Sequence, residues 1–173
     1  IIYLKVFALE NKIIIAGGGH AGIEAALAIA KMGFSCTIVT LNSEAIGRMS
    51  CNPAIGGLAK GHLVREIDAL GGIMGKVADK STIQNKILNK SKGRAVWSPR
   101  SQVDKIKYTK IAQELIFKNE KISIIEDEVV DFEHVNNVLV CAILKSAGKI
   151  TCKSLIITCG TFMSGLIHIG NKN

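Results

Sequence analysis

The feature that most restricts the fold is a glycine spacing, Gly17-x-Gly19-x-x-Gly22, set between a short β-branched run and an Ala-rich stretch. Residues 12–16 read as a buried strand, the glycines as a tight turn, and the residues up to Met32 as a helix that Gly33 stops. Each glycine has a mechanical task in such a turn. One permits the reversal, one lets backbone approach a pyrophosphate, and one lets helix and strand pack closely. The helix N-terminus then turns its unpaired N–H groups toward an anion. Ala26, four residues past Gly22, keeps the packing surface small. Residues 36–40, Cys-Thr-Ile-Val-Thr, read as a second buried parallel strand, which completes a βαβ unit.

The acid that usually closes the second strand and holds a ribose is absent, and Thr40, Leu41 and Asn42 stand there instead. A hydroxyl or amide can still bond a ribose, at about 1 kcal/mol against about 1.5–3 for a charged partner. That departure suits an FAD site better than a standard NAD site. Residues 41–57 lose the apolar period and read as a long loop, broken by Asn42, Gly47, Asn52, Pro53, Gly56 and Gly57. Residues 58–70 resume helical spacing with an apolar stripe of Leu63, Val64, Ile67 and Leu70, and residues 101–118 predict a further helix that buries Ile106, Ile111, Leu115 and Ile116. Residues 122–125 read as a third parallel strand. Residues 129–132, 138–144 and 149–151 form a small antiparallel meander turning at Asn136-Asn137 and Ala147-Gly148, and residues 154–158 a last buried strand entering Cys159-Gly160. The fold class is therefore α/β, and its order resembles the Rossmann-like FAD-binding domain of the glutathione-reductase class. There the last strand and its glycine, here Gly160, approach the flavin nucleotide.

Two further segments carry chemistry. In Gly47-Arg48-Met49-Ser50-Cys51-Asn52-Pro53-Ala54-Ile55-Gly56-Gly57 a thiol is held in a loop ahead of a helix, with Arg48 and Lys60 nearby in sequence. Such surroundings favour thiolate, and Cys51 reads either as a nucleophile or acid/base group or as a small residue in a tight loop. The other four cysteines, at 36, 141, 152 and 159, sit in apolar runs as small hydrophobes; with an odd total of 5, no CxxC pair and no His partner at zinc spacing, neither a disulfide framework nor a metal site is expected. From Gly75 to Arg100 there are seven Lys or Arg against the single acid Asp79, a large share of the net charge of +8. This segment reads either as a solvated basic surface or as a polyanion contact, and Trp97, the only Trp, as a core anchor or a base-stacking platform. No apolar run approaches the roughly 18 residues of a membrane span, and no secretory leader is recognisable. The start without Met predicts a chain that begins inside a reading frame, and the polar tail after Gly160 a truncated unit.

The blocks Gly-Gly-Gly-His-Ala-Gly-Ile-Glu-Ala-Ala, Met-Ser-Cys-Asn-Pro-Ala-Ile-Gly-Gly, Lys-Gly-His-Leu-Val-Arg-Glu-Ile-Asp-Ala-Leu-Gly-Gly and Gly-Thr-Phe-Met-Ser-Gly-Leu-Ile-His-Ile-Gly closely resemble the MnmG (GidA) family over nearly the whole chain. Arg94 departs from the family pattern, which has Pro after Ser-Lys-Gly. The resemblance implies a cytoplasmic FAD enzyme, homodimeric when complete, that acts with the GTPase MnmE on the wobble uridine of tRNA. It would add an aminomethyl-type group at C5, drawing on methylene-tetrahydrofolate, glycine or ammonium, and NADH. By position, Gly17, Gly18, Gly19, His20, Ala21 and Gly22 are then the FAD phosphate loop, Val129 an adenine contact through its backbone, and Cys51 a candidate catalytic cysteine. Residues 1–173 would be the N-terminal portion of the FAD domain, with a core at about 11–160, lacking the rest of that domain, the NADH-binding insertion and the C-terminal helical domain, and inactive alone. The competing readings are a TrmFO-like folate- and FAD-dependent tRNA uridine methyltransferase, whose family lacks the Cys-Asn-Pro-Ala-Ile-Gly-Gly block, and a non-catalytic nucleotide- or RNA-binding remnant.

Overall fold

A computed structural model describes residues 12–49, 52–163 and 165. Strand β1 (Ile13–Ala16) runs through the glycine turn into helix α1 (His20–Lys31), and β2 (Cys36–Thr40) pairs with β1 in parallel. There follow β3 (Ala54–Gly56), α2 (Lys60–Ala69), α3 (Met74–Ser81), β4 (Thr82–Leu88), β5 (Ser98–Val103) and α4 (Lys105–Phe117). The chain then returns to the first sheet: β6 (Ile122–Glu126) pairs in parallel with β2. Strands β7 (Val129–Val135), β8 (Val138–Leu144) and β9 (Gly148–Thr151) form the meander, and β10 (Ser154–Ile157) joins the far side of β1. The resulting four-stranded sheet has the order β10-β1-β2-β6.

Alternation within the strands decides what covers each face. Ile13 and Ile15, Cys36 and Ile38, Ile122 and Ile124, and Ile156 point into a core shared with α1 and α4. Their neighbours Ile14, Val39, Ile125 and Leu155 point the other way, onto Ala142, Leu144 and Cys152 of the meander side. Both faces of the central strands β1 and β2 are thus covered, which is why β1 reads as a continuous apolar run. Asn136 and Asn137 take left-handed backbone at φ 51° and 62° in the β7–β8 turn, a conformation the Asn side chain tolerates.

Several sequence expectations need correction. The stretch 41–57 is not loop throughout: Ser43–Ala45 makes a 3-10 turn and Ala54–Gly56 becomes β3, because β5 lies alongside to complete its hydrogen bonds. The basic segment, in which periodicity predicts no element, holds most of α3 and then a hairpin of β4 and β5 in a second, antiparallel sheet of order β3-β5-β4. Helix α2 buries little of its stripe: Leu63 and Leu70 are 58% and 85% exposed, and only Val64 of the four packs against the core. Ile106 is 82% exposed, whereas Ile116 is fully buried as expected and Tyr108 and Ala112 complete that face. The shift follows from the true helix start, where the Asp104 carboxylate accepts from the N–H groups of Ile106 and Lys107 at 2.9 and 3.0 Å, leaving residues 101–103 in β5. Trp97 is 40% exposed and is no core anchor. Cys159 lies beyond the last strand, at the head of a 3-10 turn.

Helix α3 starts without a side-chain cap of its own. Glu24 of α1 supplies one from across the fold, accepting from Ile73 N–H at 3.0 Å and Met74 N–H at 2.7 Å. A carboxylate at this end also meets the positive end of the helix dipole. Replacing Glu24 with Ala strands those donors and should cost about 2 kcal/mol of stability, read as a lower urea midpoint; Glu24→Gln should retain most of it. An unchanged midpoint in Glu24→Ala would remove the cap from the account of how α1 and α3 are joined.

Candidate functional site

Parallel strands bring all their carboxyl ends to one edge of the sheet, and the loops leaving that edge form the site. From β1 comes the glycine turn. Gly17 has φ 110°, and a Cβ there would lie 2.7 Å from the Thr158 carbonyl oxygen. At Gly22 a Cβ would collide with the Gly17 carbonyl oxygen, so α1 and the turn pack backbone to backbone. Gly18 is closed in by Ile46 and Thr40. Around Gly19 there is nothing within 4 Å of where a Cβ would stand. Of the three fingerprint glycines, Gly17 and Gly22 are hemmed in by backbone and Gly19 faces open space.

That open space lies at the head of α1. The helix has no side-chain cap and no acid in its first turn, so among the described residues no anionic side chain satisfies its first N–H groups. His20 opens the helix. Its Nε2 is buried without a partner among the described residues, its ring lies 5.6 Å from that of Tyr108, and burial together with the nearby Lys60 cation depresses its pKa. Both effects favour the neutral imidazole. Ala21, next in the helix, is exposed. These features fit a dinucleotide pyrophosphate: open space beside Gly19, free N–H donors and an orphaned ring nitrogen.

The other strand ends are tied to this turn. From β2, the Gly47 N–H donates to the Gly18 carbonyl at 2.9 Å, which anchors the segment leading toward Cys51 against the glycine loop. From β10, the Thr158 hydroxyl donates to the carbonyls of Ala16 and Gly17 at 2.9 and 3.1 Å, clamping the turn from the far side. Gly160, at φ 60° with open space around it, follows two residues later. From β6, Glu126 stands in register beside Thr40 and accepts from Ser43 N–H at 2.7 Å, and Val129 begins β7 three residues on, at the same edge. Cys51 lies outside the described residues. Its neighbours past Asn52 enter β3, which is held by Gly57 N–H donating to the Pro99 carbonyl at 2.8 Å. Among the described cysteines burial raises the thiol pKa of Cys36, to about 11, and those of Cys141 and Cys152, so these three are poor nucleophiles.

A family model described as glucose inhibited division protein A matches residues 12–173. The chain belongs to that family. A curated GidA-family relative from Sulfurihydrogenibium sp. (strain YO3AOP1), named tRNA uridine 5-carboxymethylaminomethyl modification enzyme MnmG, is 49% identical over 96% of the chain and 27% of its own length. The solved structure of Aquifex aeolicus GidA superposes with a TM-score of 0.87 at 49% identity, covering 95% of this chain and 27% of that one. The GidA-related protein from Thermus thermophilus, at 12% identity and a TM-score of 0.59 over 90% of this chain and 55% of that one, shares the fold alone. The chain thus spans about a quarter of the length of the GidA relatives it matches.

Sequence reasoning missed Thr158 as part of the site and Glu24 as the cap of α3. Thr158 reads as the end of a strand, and its hydrogen bonds run to residues 141 and 142 positions earlier, beyond any local pattern. Nothing local to Glu24 announces that α3 will start against it. Among the described residues no helix is long and apolar enough to cross a membrane, and no group of three or more His, Cys, Asp or Glu could hold a metal ion.

Proposed function

We propose that this chain is the FAD-binding, N-terminal part of a tRNA-modifying flavoenzyme that adds a carboxymethylaminomethyl or aminomethyl group at C5 of the wobble uridine. The observation that carries the cofactor is the open space beside Gly19 at an uncapped helix end, bounded by glycines whose missing side chains have packing reasons. Gly17, Gly18, Gly19, His20, Ala21 and Gly22 would hold the pyrophosphate, Val129 the adenine through its backbone, and Gly160 would border the nucleotide. Bound FAD would supply the redox chemistry, with NADH as reductant and methylene-tetrahydrofolate as one-carbon donor. The substrate follows from family membership, because the curated relatives carry the tRNA uridine modification name; that name disfavours the TrmFO-like methyltransferase reading. The complete protein would work in the cytoplasm as a homodimer with the GTPase MnmE. Residues 1–173 would contribute FAD binding and Cys51, and would be inactive alone.

The test is an absorbance spectrum of the purified full-length protein before and after NADH. Oxidised-flavin bands that bleach on reduction are expected; a folded, colourless protein would overturn the cofactor assignment. Cys51 is assigned the uridine chemistry as nucleophile or proton-transfer group. In a strain lacking the native enzyme, Cys51→Ser should keep its flavin and restore no modified wobble nucleoside. Normal nucleoside levels would end the catalytic assignment of Cys51 without touching the flavin.

A further inference from the structure

Between Thr82 and Val103 the chain has five basic residues, Lys86, Lys90, Lys92, Arg94 and Arg100, and no acid. The fold gathers them on the β4–β5 hairpin and its tip. Lys86 and Arg100 are direct cross-strand partners, an arrangement in which like charges repel. None of the ion pairs recorded among the described residues reaches this hairpin to relieve it. Residues 90–97 are all exposed, and they fold over the strand ends as two successive 3-10 turns. At this tip Trp97 is fixed rather than loose. Its indole N–H donates to the Lys90 carbonyl at 3.3 Å, and the Arg94 guanidinium lies 5.8 Å from the ring centre. Beside it Lys86, Ile87, Lys90, Pro99 and Arg100 line a cleft of about 500 Å³. A solvent-facing indole held in a set orientation, flanked by uncompensated cations, serves no packing purpose.

From this arrangement we propose that the β4–β5 hairpin is an RNA-docking surface that takes an unpaired, looped stretch, one base stacking on Trp97 and its neighbouring phosphates meeting Lys86 and Arg100. The stack requires a base free of its own helix, which excludes a continuous duplex. The cations require a polyanion. An acidic protein would satisfy the charges but leave the oriented indole unused; an anionic membrane would use both, so the RNA-modifying reading above favours RNA and vesicles separate the two in the test. The proposal rests on the RNA-modifying reading above and extends it by placing the contact. The hairpin is continuous with the candidate reaction loop, because β5 also pairs with β3, which follows the Cys51 segment within three residues.

The experiment uses the full-length flavin-bearing protein with two labelled RNAs, a short stem-loop and a blunt duplex of the same stem, titrated at several salt concentrations. Trp97→Ala is expected to weaken the stem-loop about tenfold while leaving the duplex unchanged, and Trp97→Phe to recover most of the loss. The double variant Lys86→Gln, Arg100→Gln is expected to reduce the salt slope of binding by more than about one. Flavin content and far-ultraviolet dichroism should match wild type in each, since Lys86 and Trp97 are exposed, Arg100 is half-buried, and none of the three belongs to the core. A wild-type protein that binds the stem-loop as tightly as every variant would overturn the hairpin assignment and leave the functional reading standing. Equal loss of stem-loop and duplex in Trp97→Ala would overturn the stack. Wild-type protein that binds neither RNA would instead sink the RNA-modifying reading and this proposal with it. Vesicles of phosphatidylglycerol that bind through these residues, with RNA affinity unaltered, would reassign the surface to a membrane.

Discussion

Gly19→Val should give a folded protein that has lost its flavin. Gly19 sits at φ −72° and ψ −173°, an extended conformation that a valine adopts freely, and nothing of the chain lies within 4 Å of the added Cβ. The fold therefore has no reason to resist the change. The ligand does, because the branched side chain fills the space through which a pyrophosphate reaches the first N–H groups of α1. Losing two such charge-assisted bonds, at about 1.5–3 kcal/mol each, weakens FAD binding by about a hundredfold or more. The measurements are flavin absorbance per mole of purified protein and a urea unfolding curve of the apoprotein. Wild-type flavin content would defeat the phosphate-loop assignment; loss of fold together with flavin would show that Gly19 serves packing after all.

Gly22→Ala should do the reverse. A single methyl here strikes the carbonyl oxygen of Gly17, a backbone atom that cannot swing aside, with the Thr158 hydroxyl 3.0 Å away on the same side. Helix α1 would have to lift from β1. Its inward residues Ile23, Ala26 and Ile29 belong to the main core, so the displacement spreads through the contacts that hold the sheet to its helices. A cost of about 3 kcal/mol or more is expected from such overpacking, a large part of the roughly 5–15 kcal/mol that stabilises a domain. The urea midpoint of the apoprotein should fall sharply before any ligand is considered. If Gly22→Ala unfolds at the wild-type midpoint, the close approach of α1 and the turn is not what requires glycine there.

The contrast between these two positions marks how much of the site can be read from spacing. Gly-x-Gly-x-x-Gly between a β-branched run and an Ala-rich run already dictates a strand, a turn and a helix, because each step is a local backbone constraint. The limits of β2 and the meander turns were legible for the same reason: strand periodicity and the left-handed tolerance of Asn and Gly act over a few residues. Where the reading failed, a partner distant in sequence decided the outcome. Ala54–Gly56 has no strand signal of its own, and becomes β3 only because β5 supplies the missing hydrogen bonds. The stripe of α2 looked like a core face, yet Leu63 and Leu70 stay largely exposed. Ile106 reads as buried until Asp104 is seen to start α4 and turn Tyr108, Ala112 and Ile116 inward.

By itself, then, the sequence determined the α/β class, the phosphate-loop turn, the parallel strands and the family to which the chain belongs, since these rest on local conformational preference and on motif identity. Only the tertiary structure decided that Thr158 clamps the glycine turn, that Glu24 caps α3, that β3 and the basic hairpin share one antiparallel sheet, and that Trp97 faces solvent. Each of these depends on a hydrogen bond, or the lack of a packing neighbour, between segments far apart in the chain, and sequence periodicity carries no information about which distant groups will meet.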